Sequence, residues 1–159
     1  MELPKRKRSR LQEYEDSTPG AYFVTICTHG KEKLLCNIVG EGLCALPQIK
    51  LTDTGKIVEE SIAYINGAYD TVNVDKYVIM PNHIHLLITI KGTGGHGDPP
   101  LQTVIGGLKS YTTHKYGGIL WQRSFYDHII RNENDYRDIW EYIDTNPVKW
   151  SEDKFYTAI

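Results

Sequence analysis

The chain has 159 residues, of which 40% are hydrophobic and 24% are charged, a composition that is ordinary for a soluble globular protein. This length suffices for a hydrophobic core without disulfide or metal support, so we expect one domain over residues 1–159. The formal net charge of −2 gives no indication of nucleic-acid binding, and no apolar run approaches the roughly 18 residues that a membrane span requires.

The N-terminal segment 1–13 concentrates positive charge. Its basic side chains are Lys5, Arg6, Lys7, Arg8 and Arg10. Such a cluster can contact phosphate groups, and it is equally typical of a flexible, solvated start of a chain. No apolar region follows it, so the segment lacks the pattern of a signal peptide.

The first half of the chain reads as two strands and a helix. Aromatic and β-branched residues predict a strand over 21–28, after a Pro19-Gly20 turn. A short second strand is expected around 34–39. Thr52 or Asp53 is a suitable N-cap for a first helix, which should end near Asn66-Gly67.

The second half of the chain is predicted to form three more strands and two helices. Segments 72–80 and 83–90 form strands that are joined at Pro81-Asn82 and are therefore expected to be antiparallel. A helix over 101–117 and a strand over 125–131 follow. The last helix is capped by Asn132 or Asn134 and ends at Pro147.

This order of elements predicts an α+β fold. Strand, helix, strand, strand, helix and strand in succession form the ferredoxin-like βαββαβ sandwich, with one antiparallel sheet and here an added C-terminal helix. Cys27, Cys36 and Cys44 are odd in number and lack CxxC spacing. They indicate reduced cysteines, and with them a cytoplasmic protein, better than they indicate a disulfide framework.

Two histidines stand out within the strand over 83–90. His83 and His85 alternate across Ile84, so both imidazoles should project from one face of that strand. A strand histidine is often only a hydrogen-bonded residue of the core or surface. The apolar neighbours nevertheless predict a buried strand, in which two imidazoles need a specific partner. Polar Asn82 beside them suggests a solvated edge.

Tyr142 and Asn146 share one face of the last helix, because they lie four residues apart. Alone, this pair fits a tyrosine packed on the sheet and an asparagine that ends a helix before proline. If the helix lies against the histidine strand, two imidazoles, an amide oxygen and a phenol converge. Such a mixed nitrogen and oxygen site suits Mg²⁺ or Mn²⁺, and the phenol beside it is a candidate nucleophile for a phosphodiester.

From about Tyr14 to Tyr156 the chain resembles the single-tyrosine HUH transposases of the IS200/IS605 type, in particular the REP-associated tyrosine transposases. The blocks that carry the resemblance are PGAYFVT (19–25), YVIMPNHIHLLI (77–88), LWQRSFYDHIIR (120–131) and YIDTNPVKW (142–150). The family block often reads NPVKHG, whereas here NPVKW is followed by SEDKFY.

The resemblance implies a metal-dependent endonuclease and strand transferase that acts on single-stranded DNA bearing imperfect hairpins. His83, His85 and Asn146 match the metal ligands, and Tyr142 matches the nucleophile, which forms a 5′-phosphotyrosine and frees a 3′-hydroxyl. The family includes dimers that complete the site in trans and members that act as monomers, so both states stay open.

DNA contacts are expected from cationic side chains near the matching blocks. Arg131 and Lys149 are the favoured phosphate contacts near the proposed site, and Arg123 belongs to a mixture of cations and aromatic residues around the second helix that suits single-stranded DNA. Two alternatives remain: a domesticated hairpin-binding protein that no longer cuts DNA, and an unrelated small-molecule metalloenzyme with a closed pocket.

Overall fold

The computed structural model describes residues 19–40, 46–92 and 99–156. The basic N-terminal segment, with its predicted phosphate contacts, and Cys44 lie outside the described residues. The elements of the described part, in chain order, are β1 (Gly20–Cys27), β2 (Cys36–Val39), β3 (Gln48–Leu51), α1 (Asp53–Ala68), β4 (Val72–Ile79), β5 (His83–Ile90), α2 (Leu101–Tyr116), β6 (Tyr126–Ile130) and α3 (Glu133–Thr145).

Four strands form an antiparallel sheet in the order β4-β5-β1-β6. The predicted ferredoxin-like α+β fold, with an added C-terminal helix that carries Tyr142, is therefore confirmed. The separate hairpin of β2 and β3 was predicted only in its first strand. The second strand spans four residues directly after Pro47, too few for its alternation to be distinguished from a loop.

The two faces of the sheet bury different cores. In β5 the residues Ile84, Leu86, Ile88 and Ile90 pack with α1 and α2 in the larger core. Leu87, on the opposite face, packs with Ile143 of α3 and with Val78, Met80 and Trp150 in a smaller core. Because side chains alternate along a strand, His83 and His85 share the face that α3 covers.

The first turn of α1 packs closely on the segment that precedes β2, and Thr52 and Gly55 permit this packing. The Thr52 Oγ1 accepts a hydrogen bond from the Gly55 amide, which is the predicted N-cap. A side chain at Gly55 would overlap the carbonyl oxygen of Leu35. Glycine at this position therefore allows the helix to approach the preceding loop at backbone distance.

Polar contacts with β4 hold α3 on the sheet. At a register shift in β4, the Asp75 carboxylate accepts a hydrogen bond from the Tyr136 hydroxyl at 2.8 Å. Further along, Lys76 Nζ lies 2.8 Å from Asp144 Oδ1 and 4.8 Å from the Trp140 ring centroid. Asn132 caps the helix by accepting from the Asp135 amide. These contacts place the C-terminal turn of α3 over the histidine end of β5.

Among the described residues, no helix combines the length and apolar character needed to span a membrane.

Candidate metal centre beside an exposed tyrosine

His83 and His85 form a closely spaced imidazole pair. Both are almost completely buried, with exposed fractions of 0% and 1%, and their Nε2 atoms lie 3.1 Å apart. The sequence prediction that both rings project from one face of β5 is correct. Two polar rings are thus placed in an apolar surrounding, where each needs a partner for its nitrogens.

Asn82 determines which nitrogen of His83 carries the proton. The Asn82 Nδ2 donates to the carbonyl oxygen of Phe155 at 2.7 Å, and a carbonyl can only accept. The Asn82 Oδ1 therefore faces His83 Nδ1, at 2.8 Å, and accepts its N–H. The lone pair of neutral His83 is then on Nε2, directed at His85. Asn82 is fully buried, so the solvated edge expected from the sequence is wrong.

His85 is held from both sides by residues of the neighbouring β1. Its Nδ1 hydrogen-bonds with Thr25 Oγ1 at 2.8 Å, in the register that pairs these residues across the strands. The Phe23 ring stacks on the imidazole with a centroid distance of 5.1 Å. These contacts fix the ring orientation and leave Nε2 facing His83, as is usual for metal-ligating histidines.

Burial keeps both imidazoles neutral. It lowers the pKa of His83 to about 4, although the nearby Asp153 carboxylate partly opposes this shift. Burial, together with repulsion from a charged His83, lowers the pKa of His85 well below its ordinary value. Neutral imidazole is the form that binds a metal ion, so at neutral pH neither ring must lose a proton first.

Tyr142 lies beside the pair and is open to solvent. Its ring centroid is 5.3 Å from that of His85 and 5.9 Å from that of Phe23, and 41% of the residue is exposed. Burial of part of the phenol and the nearby Asp153 carboxylate raise its pKa above the ordinary value. The phenol is therefore protonated at neutral pH, and a substrate can reach it from solution.

Asn146 presents an unpartnered oxygen to the same place. The residue is 2% exposed, and its Oδ1 has no hydrogen-bond partner among the described residues. It is nevertheless close enough to His83 to favour the protonated ring. A buried acceptor without a partner costs about 1–3 kcal/mol, which a cation at this point would offset. The predicted convergence of Tyr142, Asn146 and the two histidines is thus present in one chain.

Asp153 joins this group and was missed by the sequence analysis. Its side chain is 1% exposed, and its Oδ2 lies 3.8 Å from His83 Nε2. One ligand atom from each of His83, His85 and Asp153 falls within 4.8 Å of the others, so the three can hold a metal ion. The only signal in the sequence was the departure from the NPVKHG pattern, where an acidic segment follows Trp150.

The predicted DNA-contacting residues fall in different places. Lys149 lines an open cavity of about 290 Å³ together with Tyr142, Asn146, Asp153 and Lys154. Arg123 lies near the histidine end of the sheet. The amide of its neighbour Gln122 donates to the carbonyl oxygen of Cys27, which pairs with His83.

Arg131 was expected near the site, and this placement is wrong. It follows Ile130 of β6, which pairs with Ala21, whereas Cys27 at the other end of β1 pairs with His83. At about 3.3 Å per residue, roughly 20 Å of sheet separates the two positions. Arg131 is the last residue of the matching block LWQRSFYDHIIR. Because β6 runs away from the histidine end of the sheet, Arg131 lies at the opposite end.

Comparisons with known proteins agree with this fold. No family model matches the chain. A protein of Haemophilus influenzae whose function is uncharacterised is 34% identical over 95% of this chain and 93% of its own length. The REP-associated tyrosine transposase of Escherichia coli K12 is 35% identical over 48% of this chain, and the match covers 44% of that protein.

A solved structure extends the second likeness to most of the chain. The structure of a REP-associated tyrosine transposase bound to a REP hairpin superposes with a TM-score of 0.65 at 25% sequence identity. The superposition covers 89% of this chain and 74% of that one. Sequence blocks and these likenesses agree, and the chain is therefore similar to the REP-associated tyrosine transposases in sequence and in fold.

Proposed function

We propose that this protein is a transposase-like enzyme that binds hairpin-bearing single-stranded DNA and breaks and rejoins it through Tyr142. In this proposal one domain, residues 1–159, works in the cytoplasm with a divalent ion, Mg²⁺ or Mn²⁺, held by His83, His85 and Asn146. The structure of a relative bound to a REP hairpin supports the choice of DNA partner.

The observation that carries the proposal is the facing pair of His83 and His85 beside the unpartnered Asn146 Oδ1. Each neutral imidazole directs Nε2 into the same small volume, where the Nε2 atoms are 3.1 Å apart. With the proton of His83 on Nδ1, the lone pair of its Nε2 faces His85, and a cation can bind both Nε2 atoms when His85 carries its own proton on Nδ1, toward Thr25 Oγ1. Two nitrogens and amide oxygen leave positions open for phosphate and water, as Mg²⁺ and Mn²⁺ prefer.

When bound, such an ion supplies Lewis-acid chemistry, polarising the phosphate and neutralising the charge that develops on it. The chain itself supplies the nucleophile and its position. The Tyr142 oxygen forms a bond to phosphorus while the bond from phosphorus to the 3′ oxygen breaks. The phenol loses a proton and the departing oxygen gains one, so the products are a 5′-phosphotyrosine and a free 3′-hydroxyl. The covalent link conserves the bond energy for rejoining.

Two lysines at the cavity, beside the acidic Glu152 and Asp153, are candidate contacts for a phosphodiester. Lys149 and Lys154 line the same cavity as Tyr142, and both are exposed. A single DNA strand bound in this cavity would place one phosphate at Tyr142 and the neighbouring phosphates at the two lysines. Arg123 at the same end of the sheet, the basic N-terminal residues and the more distant Arg131 complete the proposed DNA contacts. Because one chain provides both histidines and the tyrosine, a monomer is sufficient for the reaction, and a homodimer is also compatible with it.

The test is formation of a covalent protein–DNA adduct. Single-stranded hairpin oligonucleotides from repeats flanking the gene are incubated with Mn²⁺ or Mg²⁺ and resolved on a denaturing gel. We expect a metal-dependent adduct that is lost in Tyr142→Phe and retained in Tyr64→Phe, which removes a hydroxyl from a 72% exposed tyrosine of α1. An adduct that persists in Tyr142→Phe would show that Tyr142 is not the nucleophile.

The second candidate is a hairpin-binding protein without cleavage activity. It is favoured by one observation, the raised pKa of Tyr142, which makes the phenol a weaker nucleophile at neutral pH. Tight hairpin binding by the wild-type protein, with no adduct under any metal condition, would select this candidate.

A further inference from the structure

The segment after α3 closes over the histidine pair. Residues Trp150–Glu152 form a single 3₁₀ turn, and the chain then continues to Tyr156. Trp150 and Phe155 are buried against His83, with ring centroid distances of 6.0 Å and 4.6 Å. Asn82 fastens the segment by donating to the Phe155 carbonyl oxygen. Asp153 lies between these two anchors and is therefore directed inward.

We propose that the Asp153 carboxylate is a fourth protein ligand of the metal ion, in addition to His83, His85 and Asn146. This inference rests on the proposed function and deepens it. The site would then contain two imidazoles, one amide oxygen and one carboxylate. The segment that follows α3 would supply the carboxylate.

Interatomic distances support direct ligation. Ligand atoms bound to one ion at roughly 2.0–2.2 Å lie about 3 Å apart when adjacent and about 4 Å apart when opposite. The Nε2 atoms of His83 and His85 are separated by 3.1 Å, and Asp153 Oδ2 is 3.8 Å from His83 Nε2. All three groups also contribute atoms that lie within 4.8 Å of one another. Two of these spacings fit one ion directly, and because 4.8 Å exceeds the distance between opposite ligands, a small side-chain adjustment brings all three groups onto it.

Asp153 also determines the orientation of Asn146. The Asn146 Nδ2 donates to Asp153 Oδ2 at 3.0 Å, and an ionised carboxylate can only accept. The amide nitrogen must therefore face Asp153, which leaves the buried Oδ1 on the other side without a hydrogen-bond partner among the described residues. Asp153 therefore turns the Asn146 oxygen away from any donor in the described part of the chain. This unsatisfied buried acceptor is unfavourable unless an ion binds it, and Asp153 lies close enough to bind the same ion.

The charge of Asp153 requires compensation. Its Oδ1 accepts from the Phe155 amide at 2.8 Å, and its Oδ2 accepts from Asn146. Within the part of the chain that the structure describes, no lysine or arginine nitrogen forms an ion pair with it within 4.0 Å. A carboxylate buried without a cation is unfavourable, and a divalent ion at the histidines would supply the missing positive charge.

Mn²⁺ binding to the full chain tests the inference without reference to DNA cleavage. Isothermal titration calorimetry compares the wild type with Asp153→Asn and with Asp138→Asn, which removes a carboxylate from the exposed surface of α3. We expect Asp153→Asn to weaken Mn²⁺ binding roughly 10–100-fold and Asp138→Asn to leave it unchanged. Equal affinity of Asp153→Asn and the wild type overturns the inference. A wild type that binds no Mn²⁺ overturns the metal part of the proposed function instead.

A second variant distinguishes a ligand from a residue that only orients Asn146. In Asp153→Cys with Co²⁺, a thiolate bound directly to the ion produces a charge-transfer band in the near ultraviolet. The matched control is Ser151→Cys, which places a thiol on the exposed side of the same segment. We expect the band in Asp153→Cys alone. Weakened Mn²⁺ binding in Asp153→Asn without the band in Asp153→Cys would overturn direct ligation and assign Asp153 an orienting role.

Discussion

The Nε2 atoms of His83 and His85 face each other at 3.1 Å inside a buried site. Because Asn82 holds the proton of His83 on Nδ1, the lone pair of His83 Nε2 points at its neighbour. This lone pair can accept a hydrogen bond from His85 Nε2–H or, when the His85 proton is on Nδ1, both Nε2 atoms can bind one cation. Together with the Asp153 carboxylate, these two nitrogens form a cluster that can hold a metal ion.

Replacement of Asn82 should affect both the fold and the metal site. In Asn82→Ala the His83 Nδ1–H and the Phe155 carbonyl oxygen lose their buried partners, at about 1–3 kcal/mol for each group. We expect a lower free energy of unfolding, measured by chemical denaturation in the presence of a chelator, and Mn²⁺ binding weakened roughly 10–100-fold. Asn37→Ala, at an exposed position of β2, serves as the control. Unchanged Mn²⁺ affinity in Asn82→Ala would contradict the orienting role of Asn82.

Acid should destabilise the metal-free protein within a defined pH range. The pKa of His83 is about 4 in the folded chain and 6.5 without burial. Between these values the unfolded chain binds the additional proton, so the free energy of unfolding falls as the pH falls from about 6.5 to about 4. The lowered pKa of His85 acts in the same direction. Above pH 6.5 both states are neutral at these rings and this dependence disappears.

Thermal unfolding in chelator across this pH range measures the effect. His83→Gln should show a shallower loss of stability with falling pH than the wild type. His114→Gln, on the exposed surface of α2, should retain the wild-type dependence. Identical pH profiles for His83→Gln and the wild type would show that burial of His83 does not set the profile.

Lys149 should contribute to DNA binding through charge. In Lys149→Gln, loss of one phosphate contact should reduce the slope of log affinity against log salt by about 0.7, and it should do so for any single-stranded sequence. Fluorescence anisotropy with a labelled oligonucleotide at several salt concentrations measures this slope. The control Lys91→Gln lies directly after β5, at the end of the sheet away from the histidines. An equal reduction in both variants would mean that DNA does not favour the cavity beside Tyr142.

Two glycines of α1 should respond in opposite ways to alanine. In Gly55→Ala the new methyl group meets the Leu35 carbonyl oxygen, so we expect destabilisation of about 1–3 kcal/mol or more. In Gly67→Ala nothing lies within 4 Å of the new atom, and removal of backbone freedom should stabilise the protein by up to about 1 kcal/mol. Denaturant midpoints of the two variants test this difference. A tolerated Gly55→Ala would contradict the close helix approach.

Residue periodicity is sufficient to predict the strands of the four-stranded sheet and to place the candidate site residues on their elements. Alternating apolar side chains in 83–90 place His83 and His85 on one strand face, because the period of a strand is two. Helical spacing likewise places Tyr142 and Asn146 on one side of α3. Local periodicity is sufficient for these predictions, since each depends only on residues that are neighbours in the chain. The hairpin strand β3 was missed because four residues carry too little periodicity.

Which distant residues meet at the candidate site depends on tertiary packing. The direction of β6 separates Arg131 from the histidines, and the turn after α3 brings Asp153 within 3.8 Å of His83 Nε2. Asn82, predicted at a solvated edge, is buried because the segment up to Phe155 covers it. These contacts depend on packing between segments that are far apart in sequence, and no local pattern of residue types specifies such packing.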